Sequence, residues 1–206
     1  MNYIQFHQLF AKQQYVSLAQ IRLYEADFRV ANLTEWIKQW YITTITKGWY
    51  LFTDTKSDES LSMMIANDIY EPSYVSMESG LRYYDLIPEG VFMQTSISTK
   101  KSQLLSWPTG SYKYYHVQPR HYWWYQLIHN RKRNKYLRIA EPEKLLCDWF
   151  YLKPHDPDEF EELRITTSSY HELVDVTKLR RYAQQYGVVR LINTIEQFIT
   201  FMEQYD

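Results

Sequence analysis

The sequence predicts an α+β fold in two parts, a small helical head ending in a β-hairpin and a larger lobe of helices and strands. Helix-period apolar stripes fill the first forty residues and give way to short β-branched and aromatic runs at 41–45 and 49–52. Strand-forming texture returns between 91 and 140, and amphipathic helical stripes close the chain. Between the parts lies a polar stretch, Asp-Thr-Lys-Ser-Asp-Glu-Ser, so the expected units are 1–53, a linker at 54–60 and a lobe at 61–206.

Within the head, Ile4, Leu9 and Phe10 mark a helix over about 2–11. Ser17 stands where an N-cap belongs, ahead of Leu18, Ile21 and Tyr24, and Glu25-Ala26-Asp27 forms a short polar break. Leu33, Trp36, Ile37 and Trp40 then fall at i, i+3, i+4 and i+7, predicting a helix over 28–39 with one apolar face. Ala31, Thr34, Glu35 and Lys38 repeat that spacing on the opposite face, with Arg29 and Asn32 flanking the start. Thr46-Lys47-Gly48 supplies a tight turn between the two strand-like runs.

This order of helix, helix, short turn, helix and two-stranded ribbon is that of a winged helix-turn-helix, whose second motif helix enters the major groove. On that reading Arg29, Asn32, Thr34 and Lys38 work at the groove and Lys47 at the wing tip meets phosphate. Ser17 at a helix start offers a phosphate its hydroxyl and backbone N–H groups. The same order also suits a head that docks a protein. Residues 1–53 hold five Lys/Arg against three Asp/Glu, an excess of only two positive charges, so that alternative stays open.

In the lobe, Leu61, Met64, Ile65 and Ile69 predict a helix ended by Pro72, and 75–84 reads as another. Runs at 91–97, 112–117 and 122–128 read as strands, with a turn at Trp107-Pro108-Thr109-Gly110 between the first two. Residues 136–140 pair with the third run across a polar hairpin. Pro142 opens a helix carrying Leu145, Leu146, Trp149, Phe150 and Leu152, and two closing helices follow an acidic loop. The expected lobe is a small, mostly antiparallel sheet flanked by helices.

Composition narrows the function. The 206 residues are 45% hydrophobic and 23% charged, enough to bury a core, and the net charge of −1 gives no global pull toward nucleic acid. Any DNA-binding face must therefore be local. One cysteine, Cys147, excludes an internal disulfide, and its apolar neighbours suggest an inert core thiol. No apolar run approaches the roughly 18 residues of a membrane span. The first ten residues lack the basic start and apolar stretch of an export signal, so a cytoplasmic location without membrane contact is expected.

Catalytic patterns are missing. Glu141-Pro142-Glu143-Lys144 resembles the acid-x-Lys element of metal-dependent nucleases, but the position two before the lysine is Pro142, which cannot ligate a metal. Ser76 and Ser79 lack a nucleophile elbow, and the six histidines form no ligand pair. Five glycines in the whole chain leave no phosphate-cradling loop. The expectation is a non-enzyme without metal or cofactor, and metal-dependent cleavage would be needed to revive an enzymatic reading. One charged run remains: Arg131, Lys132, Arg133 and Lys135 put four cations in five residues, either a solvated hairpin tip or a second contact for phosphate or an acidic partner.

Three blocks together resemble a known family. Leu33-Thr34-Glu35-Trp36-Ile37-Lys38, Ile42 to Ile45 and Lys47-Gly48-Trp49-Tyr50-Leu51-Phe52 look like the N-terminal winged domain of AbiEi-type antitoxins. Glu71-Pro72-Ser73-Tyr74-Val75-Ser76-Met77-Glu78-Ser79-Gly80-Leu81, with Tyr84, Leu86-Ile87-Pro88 and Thr95-Ser96, is similar to their central signature. Ile139-Ala140-Glu141-Pro142-Glu143-Lys144-Leu145-Leu146-Cys147-Asp148 is similar to their C-terminal one. The resemblance spans about 17–152, and the final fifty residues carry no signature. It implies an antitoxin of an AbiE-type (type IV) toxin–antitoxin pair, whose winged domain represses its own promoter by binding operator DNA repeats. It implies further that the C-terminal domain counters a nucleotidyltransferase-like toxin, often without a stable complex. The wing here is less basic than is usual in that family.

Overall fold

A computed structural model of the chain describes residues 1–107 and 110–204. It is α+β, with one three-stranded and one six-stranded sheet. Helix α1 (Tyr3–Phe10) starts on a reciprocal capping box between Asn2 and Gln5 and buries Phe6 and Phe10. A turn of 3-10 helix leads into strand β1 (Tyr15–Ser17), then helices α2 (Leu18–Tyr24) and α3 (Val30–Lys38), and strands β2 (Ile42–Thr46) and β3 (Trp49–Phe52). Gly48, at φ +80°, makes the hairpin turn. Sequence reading missed β1, which pairs antiparallel with β3 and completes a sheet of order β1-β3-β2. Three residues are too few to show a strand period, and here all three are buried.

Phe6, Phe10, Val16, Ile21, Phe28, Leu33, Trp36, Ile42 and Phe52 form the core of this head. The apolar side of α3 thus points inward as expected for Leu33 and Trp36, with one exception. Trp40 lies beyond the helix end and is 81% exposed.

The lobe contains α4 (Glu59–Ile69), β4 (Ser73–Val75), α5 (Met77–Tyr83), β5 (Met93–Ser98), β6 (Gln103–Trp107), β7 (Gly110–His116), β8 (Tyr125–Asn130) and β9 (Lys135–Ala140). Helices α6 (Pro142–Leu152), α7 (Thr167–Leu173), α8 (Val176–Tyr186) and α9 (Val189–Glu203) follow. Strand order is β6-β7-β5-β4-β9-β8. Among the described residues the sheet is mostly antiparallel, as expected, but mixed, because β4 runs parallel to β9 and β5 parallel to β7. Both pairs join strands that are not consecutive in the chain, and local periodicity cannot reveal such returns. The expected helix over 75–84 is present as α5 but starts two residues later. Val75 closes β4, Ser76 is extended, and Met77 at φ +58° turns the chain into α5. The expected third strand begins only at Tyr125, after Trp124 at φ +49°. The expected turn at 107–110 joins β6, missed from sequence, to β7, and its central residues 108 and 109 lie outside the described residues.

Alternate residues of the six-stranded sheet serve two cores. Val75, Tyr112, Tyr114, Leu137 and Ile139 pack on one side with Leu61, Met64 and Ile65 of α4, and with Tyr15 and Ile45 of the head. Tyr74, Ile97 and Ala140 pack on the other with α5, α6, α8 and α9. Residues 54–60 are correspondingly not a free tether. Asp58 N-caps α4 by accepting from the Leu61 N–H at 2.8 Å, and α4 begins at Glu59.

Candidate functional site

Two places stand out as candidate sites. The first is the outer side of α3. Arg29, Ala31, Thr34, Glu35 and Lys38 are exposed there, and Lys47 is exposed at the hairpin tip. The lobe covers none of them, because the head meets the lobe through Tyr15 and Ile45, on its sheet. Asn32 is half-buried, and its amide donates to the Met1 carbonyl at 3.3 Å, so it is partly used in holding the N-terminus.

Ser17 is a correction. It is 7% exposed, and its hydroxyl accepts from the Gln20 N–H at 3.1 Å while its own N–H donates to the Gln20 side chain. The Leu18 N–H is spent on the Gly48 carbonyl. Those groups cap a helix and tie down the hairpin, which leaves little for a phosphate.

The basic run at 131–135 is split by the fold. Arg131 and Lys132 are exposed at the tip between β8 and β9, as a solvated or ligand-binding tip requires. Arg133 is instead 1% exposed, ion-paired to Asp58 at 2.5 Å and donating to the Gln14 side chain. Burial alone would raise the Asp58 carboxyl, but the bonds from Arg133 and the Leu61 N–H outweigh it and hold it below its ordinary range. Lys135 pairs with Asp68 at 3.0 Å and lies 3.6 Å from the centre of the Tyr15 ring. Arg133 and Lys135 therefore join the lobe to the head and are not available to a second phosphate contact.

The second place is a polar knot inside the lobe, which sequence reading did not find. Lys144 and Asp148, one helical turn apart on α6, are both fully buried and ion-paired. Lys144 Nζ also donates to the His121 carbonyl at 2.9 Å and to the Tyr186 hydroxyl at 2.5 Å, so all three of its donors are used. Asp148 accepts from Lys144 and Tyr186 on Oδ1, and on Oδ2 from Tyr74 at 3.0 Å and Ser76 at 2.9 Å. The Trp123 ring lies 4.5 Å from the ammonium. Burial lowers the Lys144 pKa and Asp148 opposes that shift; burial pushes the Tyr74 and Tyr186 hydroxyls well up. His121 stacks on Tyr186 at 4.6 Å, and neither ring nitrogen has a hydrogen-bond partner among the described residues. The four-residue spacing of Lys144 and Asp148 was a visible signal of a pair, but nothing local said it was buried.

Cys147 is buried, and its thiol is pushed far up by that burial, as an inert core thiol would be. Among the described residues no three His, Cys, Asp or Glu side chains cluster as metal ligands would. No described helix is long and apolar enough to cross a membrane.

These features define an α+β protein with a surface-exposed helix face on its head and an enclosed charged pair in its lobe. No protein-family model matches the sequence, and no curated protein is significantly similar to it.

Proposed function

We propose that the head is a winged helix-turn-helix that binds operator DNA, and that the chain is a non-catalytic transcriptional autorepressor and antitoxin of an AbiE-like pair. One observation carries the DNA reading: the outer side of α3 is uncovered, with Arg29, Thr34 and Lys38 free of the lobe and Lys47 exposed on the adjoining hairpin. Small polar and cationic side chains on a helix of this kind can reach base edges and phosphates. The antitoxin role and a nucleotidyltransferase-like toxin as functional partner are supported by the motif resemblance alone. With them goes the reading of the chain as a cytoplasmic regulator.

The test is a gel shift with the DNA directly upstream of its own coding sequence. Retardation at low salt, with preference over random duplex, is expected. Lys38→Ala and Lys47→Ala should each weaken binding and lower the salt slope by about 1. Absence of retardation at low salt, or equal affinity for random DNA, sinks the reading.

A second reading, a head that docks a protein, has its own support. Ile4, Leu9, Leu23 and Tyr24 are exposed on α1 and α2. A pull-down that retrieves one stable partner, together with a silent gel shift, would favour it.

A further inference from the structure

Helix α3 ends in an unusual way. The Tyr41 N–H bonds to the Trp36 carbonyl at 3.0 Å and the Trp40 N–H to the Ile37 carbonyl at 3.1 Å. This paired closure is the Schellman motif, and its left-handed position normally falls to glycine. Here it falls to Trp40, at φ +60°. A side chain at that φ is strained, and an indole that is 81% exposed recovers little burial in return. The turn is nevertheless held firmly. The Thr53 hydroxyl donates to the Trp40 carbonyl at 2.5 Å and also bonds to that of Tyr41, and Tyr41 stacks on Tyr3 at 4.3 Å. The fold thus fixes a tryptophan outward at a strained position, two residues after Lys38 and just ahead of the hairpin that carries Lys47.

Resting on the DNA reading of the head, we propose that Trp40 is an anchor for the DNA backbone. A groove-bound helix reads bases mainly from its N-terminal part, so its C-terminal turn meets the sugar–phosphate wall. An indole suits that wall, since its apolar face covers deoxyribose and its N–H donates to a phosphate oxygen. Such a contact adds affinity without sequence preference. It also carries no charge and releases no counterion.

Trp40→Gly separates the possibilities, because it should move stability and binding in opposite directions. Glycine removes the strained Cβ, so the thermal midpoint should rise. Binding should weaken on the order of tenfold, the loss expected for uncovering one aromatic contact. The measurement is fluorescence anisotropy with two labelled probes, a duplex from directly upstream of the coding sequence and a scrambled duplex. Both affinities should fall by the same factor with an unchanged salt slope, and Trp40→Phe should keep most of the affinity. A lowered midpoint in Trp40→Gly would make Trp40 structural and overturn the proposal. Unchanged affinity, with wild-type protein binding normally, would overturn it while leaving the DNA reading intact. A loss confined to the upstream duplex would make Trp40 a base reader and refute the backbone role. Failure of the wild-type protein to bind either duplex would remove the DNA reading and this proposal together.

Discussion

Replacing Lys144 with Met tests the buried knot most directly. The substitution keeps side-chain length and apolar bulk but removes the cation, leaving the Asp148 carboxylate fully buried with only the neutral donors Tyr74, Ser76 and Tyr186. Breaking a buried pair by removing one partner costs about 3–5 kcal/mol, because the charge left behind is uncompensated. Domain stabilities lie at about 5–15 kcal/mol, so the variant loses about a fifth or more of what is typical. For a chain of this size each kcal/mol moves the melting midpoint by about 2–4 °C, which places the fall at about 6–20 °C. The assay is urea unfolding followed by tryptophan fluorescence, to which Trp123 beside the ammonium contributes. A double-mutant cycle with Asp148→Leu completes it. The pair should cost at least about 1 kcal/mol less than the sum of the singles, since contacting charges couple. It should not return to wild type, because three hydroxyl donors then lack their acceptor. A Lys144→Met cost below about 1 kcal/mol, or an additive cycle, would refute this account of the knot.

Two further outcomes follow from buried groups. Burial, followed by the charges of Arg120 and Lys144, holds the His121 pKa below the ordinary histidine value, while Asp148 opposes the shift. A lowered folded-state value means that stability is complete above the unfolded-state value of 6.5 and declines as pH falls below it. Between pH 7 and 5 the wild type should lose stability relative to His121→Phe, read from paired urea melts; parallel pH profiles would contradict this. Arg133→Ala should cost about 1.5–3 kcal/mol through its lost bonds to Asp58 and Gln14 yet leave any DNA salt slope unchanged, since the residue is sealed inside. A lowered slope with normal stability would restore it as a phosphate contact.

What the sequence revealed depended on how local the determining physics was. The 3.6-residue stripe placed α3 within two residues at the start, and Pro142 announced α6 because a missing N–H costs nothing in a first helical turn. The outward side of α3 was equally legible, since Thr34 and Lys38 recur at helical spacing opposite Leu33 and Trp36. Trp40 was misplaced because the apolar pattern runs on through it while the backbone turns left-handed one residue earlier than the stripe suggests. Arg133 and Lys135 read as solvated because their partners, Asp58 and Asp68, lie more than sixty positions away. The parallel pairing of β4 with β9 was hidden for the same reason.

The knot also bears on what the motif resemblance can mean. Tyr74 and Ser76 come from the block at 71–81 and donate to Asp148 from the block at 139–148. Gly80 of the first block faces Leu145 of the second so closely that an added Cβ would stand 2.6 Å from Leu145 Cδ1. The two blocks therefore meet in space to enclose a charged pair and to let two helices approach. A chain that builds this lobe needs residues of this kind whatever its surface binds, since a buried ammonium and carboxylate demand donors and acceptors on every side. Likeness in these blocks is thus a statement about how the lobe closes. Function has to be sought on exposed groups outside them, and on the head those include Arg29, Thr34, Lys38, Trp40 and Lys47.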